Sequence, residues 1–250
     1  MTRRVTRPGD PAGNCGQHCY PLWSITAVGP EAGRLWIPGV TTYVYTVAGS
    51  RYRDDPHVWR RARCEEFLTR AGFRNWQFFY GTRSAPYWRG IALDHADLLR
   101  SHDPPLLILE DDIEVRDWAA NLAIPGECEV AQLGGGRGGD RRGIYAARAF
   151  GLRPLECYRY AYLPVDTEWI RVFGMWFCHA ILWLDFGAMR EAADLLTRLG
   201  EMVDGVYAIS QWRWNWYCRR IPIWFQNDGH HYRDTYEYRP RGERGAVTRG

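Results

Sequence analysis

The stretch PPLLILEDDIEV, Pro104 to Val115, decides how the chain is read. Four apolar residues, Leu106, Leu107, Ile108 and Leu109, run straight into Glu110, Asp111 and Asp112. A short apolar run stopped by two prolines upstream reads as a buried strand. Three adjacent carboxylates at its end repel one another and lose hydration. A positive partner is needed there.

Upstream, TTYVYTVAGS (41–50) is β-branched and aromatic and breaks at Gly49, a second buried strand. Asp54, Asp55 and Pro56 open a helix whose Val58, Ala62, Phe67 and Leu68 share a face, with Gly72 as its stop. NWQFFYG (75–81) is a strand, and GIALDHADLLRSH (90–102) is a helix with Ile91, His95 and Leu98 or Leu99 on one side. Strand, helix, strand, helix, strand is the α/β alternation of a largely parallel sheet. In such sheets ligands gather at the carboxyl ends of strands, where the three acids lie.

Downstream, MWFCHAILWLDFGAMREAADLLTRLG (175–200) holds an apolar strand and then a helix from about Gly187 to Leu199, ended by Gly200. Asp204 and Gly205 start a further helix, expected to continue through WRWNWY (212–217). PIWFQNDGHHYRDTY (222–236) is a last strand leaving through a polar turn. GGGRGGDRRG (134–143) reads either as a linker or as an anion-gripping lid. Residues 1–40 read as an irregular arm, 41–237 as one domain and 238–250 as a charged, Gly-rich flexible tail.

Composition bounds the function. At 250 residues the chain is long enough for one full core. Its 46% hydrophobic and 24% charged content is that of a globular protein. No apolar run approaches the ~20 residues of a membrane span, and no apolar segment follows the basic start as in a secretory signal. A cytoplasmic location is expected. The net charge of +3 permits an anionic partner without requiring one. All 32 basic residues are Arg, a bias that genomic base composition produces by itself; it excludes lysine bases, lysine Schiff bases and a Walker-type phosphate lysine. Seven cysteines at mostly wide spacings read as reduced thiols, with a structural metal at Cys15, His18 and Cys19 as the lesser alternative.

Oxygen-only ligation suits Mg²⁺ or Mn²⁺, held by one or two carboxylates and completed by substrate phosphates. The competing reading is a solvated acidic turn. His230 and His231, in a polar turn beside Asn227 and Asp228, are candidates to close a metal shell. Asp204 at a helix start reads first as a cap. Trp212 and Trp214, with Arg213 between them, are core residues by default and a stacking platform for a sugar or base otherwise.

Taken together these motifs resemble glycosyltransferase family 25, over about Thr42 to Arg233. YVYTVAGSRYR looks like its opening strand and donor loop, GIALDHADLL like its G-x-A-x-S-H helix, and LLILEDDIE like its ILEDD motif, the most specific match. Gly174–Leu182 followed by Gly187–Ala188 looks like its glycine loop and helix, and PIWFQNDGHH like its closing segment. The chain departs from the pattern at Asp94, where Ser is usual, and at Val47-Ala48-Gly49, where Asn-Leu ends the strand. The resemblance implies a GT-A type, Rossmann-like α/β domain with a mixed, mostly parallel central sheet. It implies an inverting, metal-dependent transfer of a hexose from a nucleotide-sugar, a UDP-sugar first, to a saccharide hydroxyl. It implies Mn²⁺ or Mg²⁺ on Asp112, with Glu110, Asp111, Gly174, Arg51 and Arg53 towards the donor, and it turns Asp204 from cap into catalytic base. Trp212, Arg213 and Trp214 are then acceptor candidates. The alternative acceptor is a hydroxymethylated pyrimidine in duplex DNA, motivated by the Arg-rich segments and WRWNWY. A non-catalytic carbohydrate- or nucleic-acid-binding module on the same fold is the second alternative.

Overall fold

The computed structural model describes residues 33–47, 56–82, 86–115, 118–134, 161–175, 179–220 and 223–226. The expectations for Arg51, Arg53, His230, His231, the Cys15–Cys19 pair, the Arg-rich loop beyond Gly134 and the tail lie outside them.

Strands β1 (Gly33–Trp36) and β2 (Thr41–Val47) lead to helix α1 (Pro56–Arg70), β3 (Trp76–Gly81), α2 (Tyr87–Ser101) and β4 (Leu106–Glu110). Four short strands follow, β5 (Ile113–Val115), β6 (Asn121–Ile124), β7 (Val130–Gln132) and β8 (Ala161–Pro164). Then come β9 (Trp169–Phe173), β10 (Ala180–Trp183), α3 (Phe186–Leu199), α4 (Val203–Ser210), β11 (Trp216–Arg219) and β12 (Trp224–Gln226). Eight strands form one sheet in the order β3-β2-β4-β10-β7-β11-β9-β8. Two-stranded ribbons β1-β6 and β12-β5 stand apart from it.

The protein is mixed α/β, as the sequence pattern requires. The expected parallel character holds for β3, β2 and β4 and recurs only between β7 and β11; the other four pairings in the large sheet are antiparallel. The sheet is therefore mixed without being mostly parallel. Strand order reverses at β2: the chain steps to β3 on one side and then returns to β4 on the other.

Alternation along β4 feeds two cores. Leu106 and Ile108 join a cluster with Ala92, Ala96 and Leu99 of α2, Leu196 of α3 and Tyr207 of α4. Leu107 and Leu109 join a second cluster with Cys64 and Leu68 of α1, Leu122 of β6 and Trp224 of β12. Helices α2, α3 and α4 thus cover one face; α1 and the ribbons cover the other.

Two expectations are corrected. The arm ends earlier than expected, because Gly33–Trp36 pairs with β6 and Ile37 and Val40 are buried. The helix expected through WRWNWY stops at Ser210, and Trp216 opens β11. Trp212 and Trp214 lie in the turn between the two elements, and Trp216 packs in the core with Trp183 at 5.3 Å and Tyr207 at 5.8 Å between ring centroids. No helix among the described residues is long and apolar enough to cross a membrane.

Helix α3 shows both end signals. The Asp185 carboxylate accepts the Ala188 N–H at 2.8 Å, and Gly200 closes the helix at φ 57° with its N–H on the Leu196 carbonyl at 3.0 Å. A Cβ on Gly200 would meet only the Arg89 side chain at ordinary contact distance, 3.7 Å and beyond. Gly200→Ala is therefore expected to cost backbone strain alone, about 1–2 kcal/mol, measured by urea unfolding.

Candidate functional site

The carboxyl ends of β2 and β4 lie side by side, with Tyr45 paired to Glu110. This is the point where strand order reverses, the crevice that open α/β sheets use for ligands. The three acids arrive there but do not form one cluster. Following the alternation of β4, Glu110 points to the α2/α4 side and Asp111 to the α1 side.

Asp111 is 6% exposed and held from both sides. Thr46 donates its hydroxyl to Oδ2 at 2.5 Å, and the Arg60 guanidinium stands 3.6 Å from Oδ1. The same Arg60 nitrogen lies 3.9 Å from Asp112 Oδ2. Arg61 donates to Thr46 Oγ1 at 3.3 Å, extending the network outward. Cys64, one turn along α1 from Arg60, places Sγ 3.5 Å from the Asp111 carbonyl. Burial and the charges of Asp111 and Asp112 push its thiol up to about 12, so it stays protonated and donates.

Glu110 has a different environment. By area the residue is partly exposed, yet its carboxylate is enclosed. Its pKa is raised well above the usual carboxylate range by burial first, then by Asp112, Asp204 and Asp111, against which Arg60 acts only weakly. Asp204, on the first turn of α4, thus acts electrostatically on Glu110 from a distant part of the chain. Met202, not Asp204, is the N-cap of that helix. The cap reading is therefore corrected: Asp204 is inside the first turn, where an acid is favoured by the helix dipole. Its carboxylate adds to the negative charge felt by Glu110.

Beneath the acids lies a buried polar floor. Asp94 accepts the Tyr45 hydroxyl at 3.0 Å, the Thr82 N–H at 2.7 Å and the Thr82 hydroxyl. Gly81 is required there, because a Cβ would sit 2.1 Å from the Tyr45 hydroxyl oxygen. The Tyr45 phenol is pushed upward by burial and then by the Asp94 charge. The neighbouring His95 has its ring 5.0 Å from that of Tyr45 and its Nδ1 3.1 Å from the Tyr207 hydroxyl. On the other flank His179 is 3% exposed, and its carbonyl accepts the Glu110 N–H at 2.9 Å. Its ring lies over Gly134, where a Cβ would stand 2.3 Å from Cδ2. Burial lowers both histidines to about 4, so both are neutral at pH 7.

The tryptophan segment is elsewhere. Trp216 pairs with Val130, Val130 with Trp183, and Trp183 with Leu106 at the amino end of β4. The turn before β11 therefore lies at the sheet edge opposite the acids. There Trp212 is 46% exposed with its ring 5.1 Å from Phe173, Arg213 pairs with Glu191, and Trp214 closes over Gly187. Gly174, at φ 71°, follows Phe173 at the same edge. Gln211 brackets the adjoining Met175, accepting its N–H at 2.7 Å and donating to its carbonyl at 2.8 Å. The charges of Asp112, Asp204 and Asp111 all act on Glu110, whereas Trp212, Arg213, Trp214 and Gly174 stand at the opposite end of the sheet.

No protein-family model matches the chain, and no curated protein matches it. The site is therefore read on its own chemistry. Among the described residues no three His, Cys, Asp or Glu side chains are grouped to hold a metal by themselves. An Mg²⁺- or Mn²⁺-type ion needs only one or two carboxylates when substrate phosphates complete its shell. The side-chain oxygens of Glu110 and Asp112 are the donor type such an ion takes.

The residues that sequence reading passed over are Thr46, Arg60 and His179; the sequence places His95 only on a helix face. Arg60 was accessible to it: Arg60 and Cys64 are four apart on a helix and therefore share a face. His179 carried no local signal, since a histidine before an apolar run is ordinary.

Two outcomes follow from the charges. His95 and His179 titrate lower when folded than in the unfolded chain, so the unfolded state binds more protons between the two values. Their stabilisation is complete above about pH 6.5 and is lost as pH falls towards about 4. Urea unfolding is expected to show a loss of about 2 kcal/mol per histidine between pH 7.5 and pH 5, and His95→Gln or His179→Gln should flatten that limb. Glu110 has the opposite sign. The folded state binds its proton more tightly, so stability falls as pH rises from the unfolded value through the folded one. Glu110→Gln should raise the metal-free unfolding midpoint at pH 8 above wild type.

Proposed function

We propose that the chain is a metal-dependent glycosyltransferase of the GT-A type that moves a hexose from a nucleotide-sugar to an acceptor hydroxyl. The observation that carries the reading is that the charges of Asp112 and Asp204, far apart in sequence, both act on the enclosed Glu110 carboxylate beside the strand-order reversal. The β2-α1-β3-α2-β4 segment supports it: three parallel strands with α1 and α2 on opposite faces are what a Rossmann-like half-domain would contain. The resemblance of LLILEDDIE to the ILEDD motif of glycosyltransferase family 25 supports it independently.

Asp112, at the turn after β4, would hold Mn²⁺ or Mg²⁺, with Glu110 as its neighbour. When bound, the ion supplies charge to the leaving nucleoside diphosphate. The protein's own residues do the rest. Asp204 accepts the proton of the acceptor hydroxyl as that oxygen bonds to the sugar's anomeric carbon and the bond to the diphosphate oxygen breaks. Thr46 and Arg60 fix Asp111, which holds the turn carrying Asp112 in place. Asp94, Tyr45 and Thr82 fix the floor. A saccharide acceptor follows from the family resemblance. The duplex DNA alternative rests on the Arg-rich segments, which lie outside the described residues, and on WRWNWY, whose Trp212 and Trp214 stand at the opposite end of the sheet from the acids.

The test is nucleotide release. Full-length protein with Mn²⁺ and a panel of UDP-sugars is expected to release UDP slowly without acceptor, and Asp112→Asn should abolish this. With a saccharide acceptor, Asp204→Asn should lower kcat by about 10²-fold or more while donor affinity is retained. Failure of every nucleotide-sugar to bind, with Asp112→Ala changing nothing, would leave a non-catalytic module as the better reading.

A further inference from the structure

We infer that Arg60 is a resident counter-cation of Asp111 and Asp112, and that a divalent cation enters this site in competition with it. The inference rests on the metal-dependent reading above and specifies how that site is regulated.

Position comes first. Cys64 and Leu68 lie buried on the sheet-facing side of α1, and Cys64 reaches the Asp111 carbonyl. Arg60 is one turn before Cys64 and shares that side. Its side chain is only 19% exposed, and one terminal nitrogen lies 3.6 Å from Asp111 and 3.9 Å from Asp112. The guanidinium is therefore part of the site's wall rather than a surface charge that swings away.

Charge comes second. An arginine keeps its charge at any working pH. The Arg60 guanidinium is within ion-pair distance of both Asp111 and Asp112, so a cation bound at Asp112 lies beside it. A divalent ion on Asp112 meets the attraction of the acids together with repulsion from a guanidinium a few ångströms away. In a partly buried setting that repulsion is little screened. Divalent binding to the free protein is accordingly weakened by Arg60. A donor diphosphate relieves the conflict, because its own negative charge offers the guanidinium a second partner.

The experiment uses Mn²⁺ alone on the full chain, followed by electron paramagnetic resonance of the free ion. Arg60→Gln is expected to bind Mn²⁺ at least about tenfold tighter than wild type. Arg60→Lys, which keeps the charge, should stay close to wild type. In EDTA, Arg60→Gln should melt lower than wild type, and Mn²⁺ should restore much of the difference. Wild type that binds Mn²⁺ while Arg60→Gln binds it equally or more weakly overturns the inference and leaves the metal reading standing. Absence of Mn²⁺ binding in both, with Asp112→Asn indistinguishable, overturns the metal reading and this inference with it. Should Arg60→Gln not fold, the wild type decides. Mg²⁺ titration should shift the side-chain ¹⁵N resonance of Arg60, assigned by its loss in Arg60→Lys, and a resonance unmoved by saturating Mg²⁺ overturns the inference.

Discussion

Everything at this site depends on the two-residue period of a β-strand. Glu110 and Asp111 are neighbours in sequence, yet alternation sends them to opposite faces of the sheet. Asp111 falls to the α1 side and is neutralised there by Thr46 and Arg60. Glu110 falls to the α4 side and feels the charge of another acid, Asp204. One acid therefore anchors the turn, and another is left with surplus negative charge. Three carboxylates in one cluster would have repelled each other without this division of roles.

The surplus has a stability cost that the rest of the fold absorbs. Two large apolar clusters flank the sheet, and Trp183, Trp216 and Tyr207 form an aromatic wedge between sheet and helices. The floor residues add rigidity rather than charge balance. Asp94 is satisfied by three donors from β2 and the end of β3, and Gly81 leaves the room for that arrangement. Sites that hold like charges together are expected on rigid supports, since any slack would let the charges separate into water.

Much of the frame was legible in the sequence because its signals are local. Strands β2, β3 and β4, helix α2 and the Gly200 end of α3 follow from apolar period and end residues. The splitting of Glu110 from Asp111 was legible too, from period alone. Other features were not. Strands β6 to β9 have three to five residues each and lie between turns, too short to show a period. The apolar run Val206-Tyr207-Ala208-Ile209 carries a helical pattern forward into WRWNWY, and only the packing of Trp216 against Trp183 shows the strand. The nearness of Asp204 to Glu110, and of His179 to Gly134, comes from strand order, which no local window contains.

Helix α4 gives the molecule a fixed spacing. It has eight residues, about 12 Å of rise, and no internal proline to bend it. Its first turn carries Asp204, while its far end runs into Gln211, clamped to Met175, and the exposed Trp212. The same eight residues therefore set the span between the Asp204 carboxylate at one end of the sheet and the Gln211–Met175 clamp at the other.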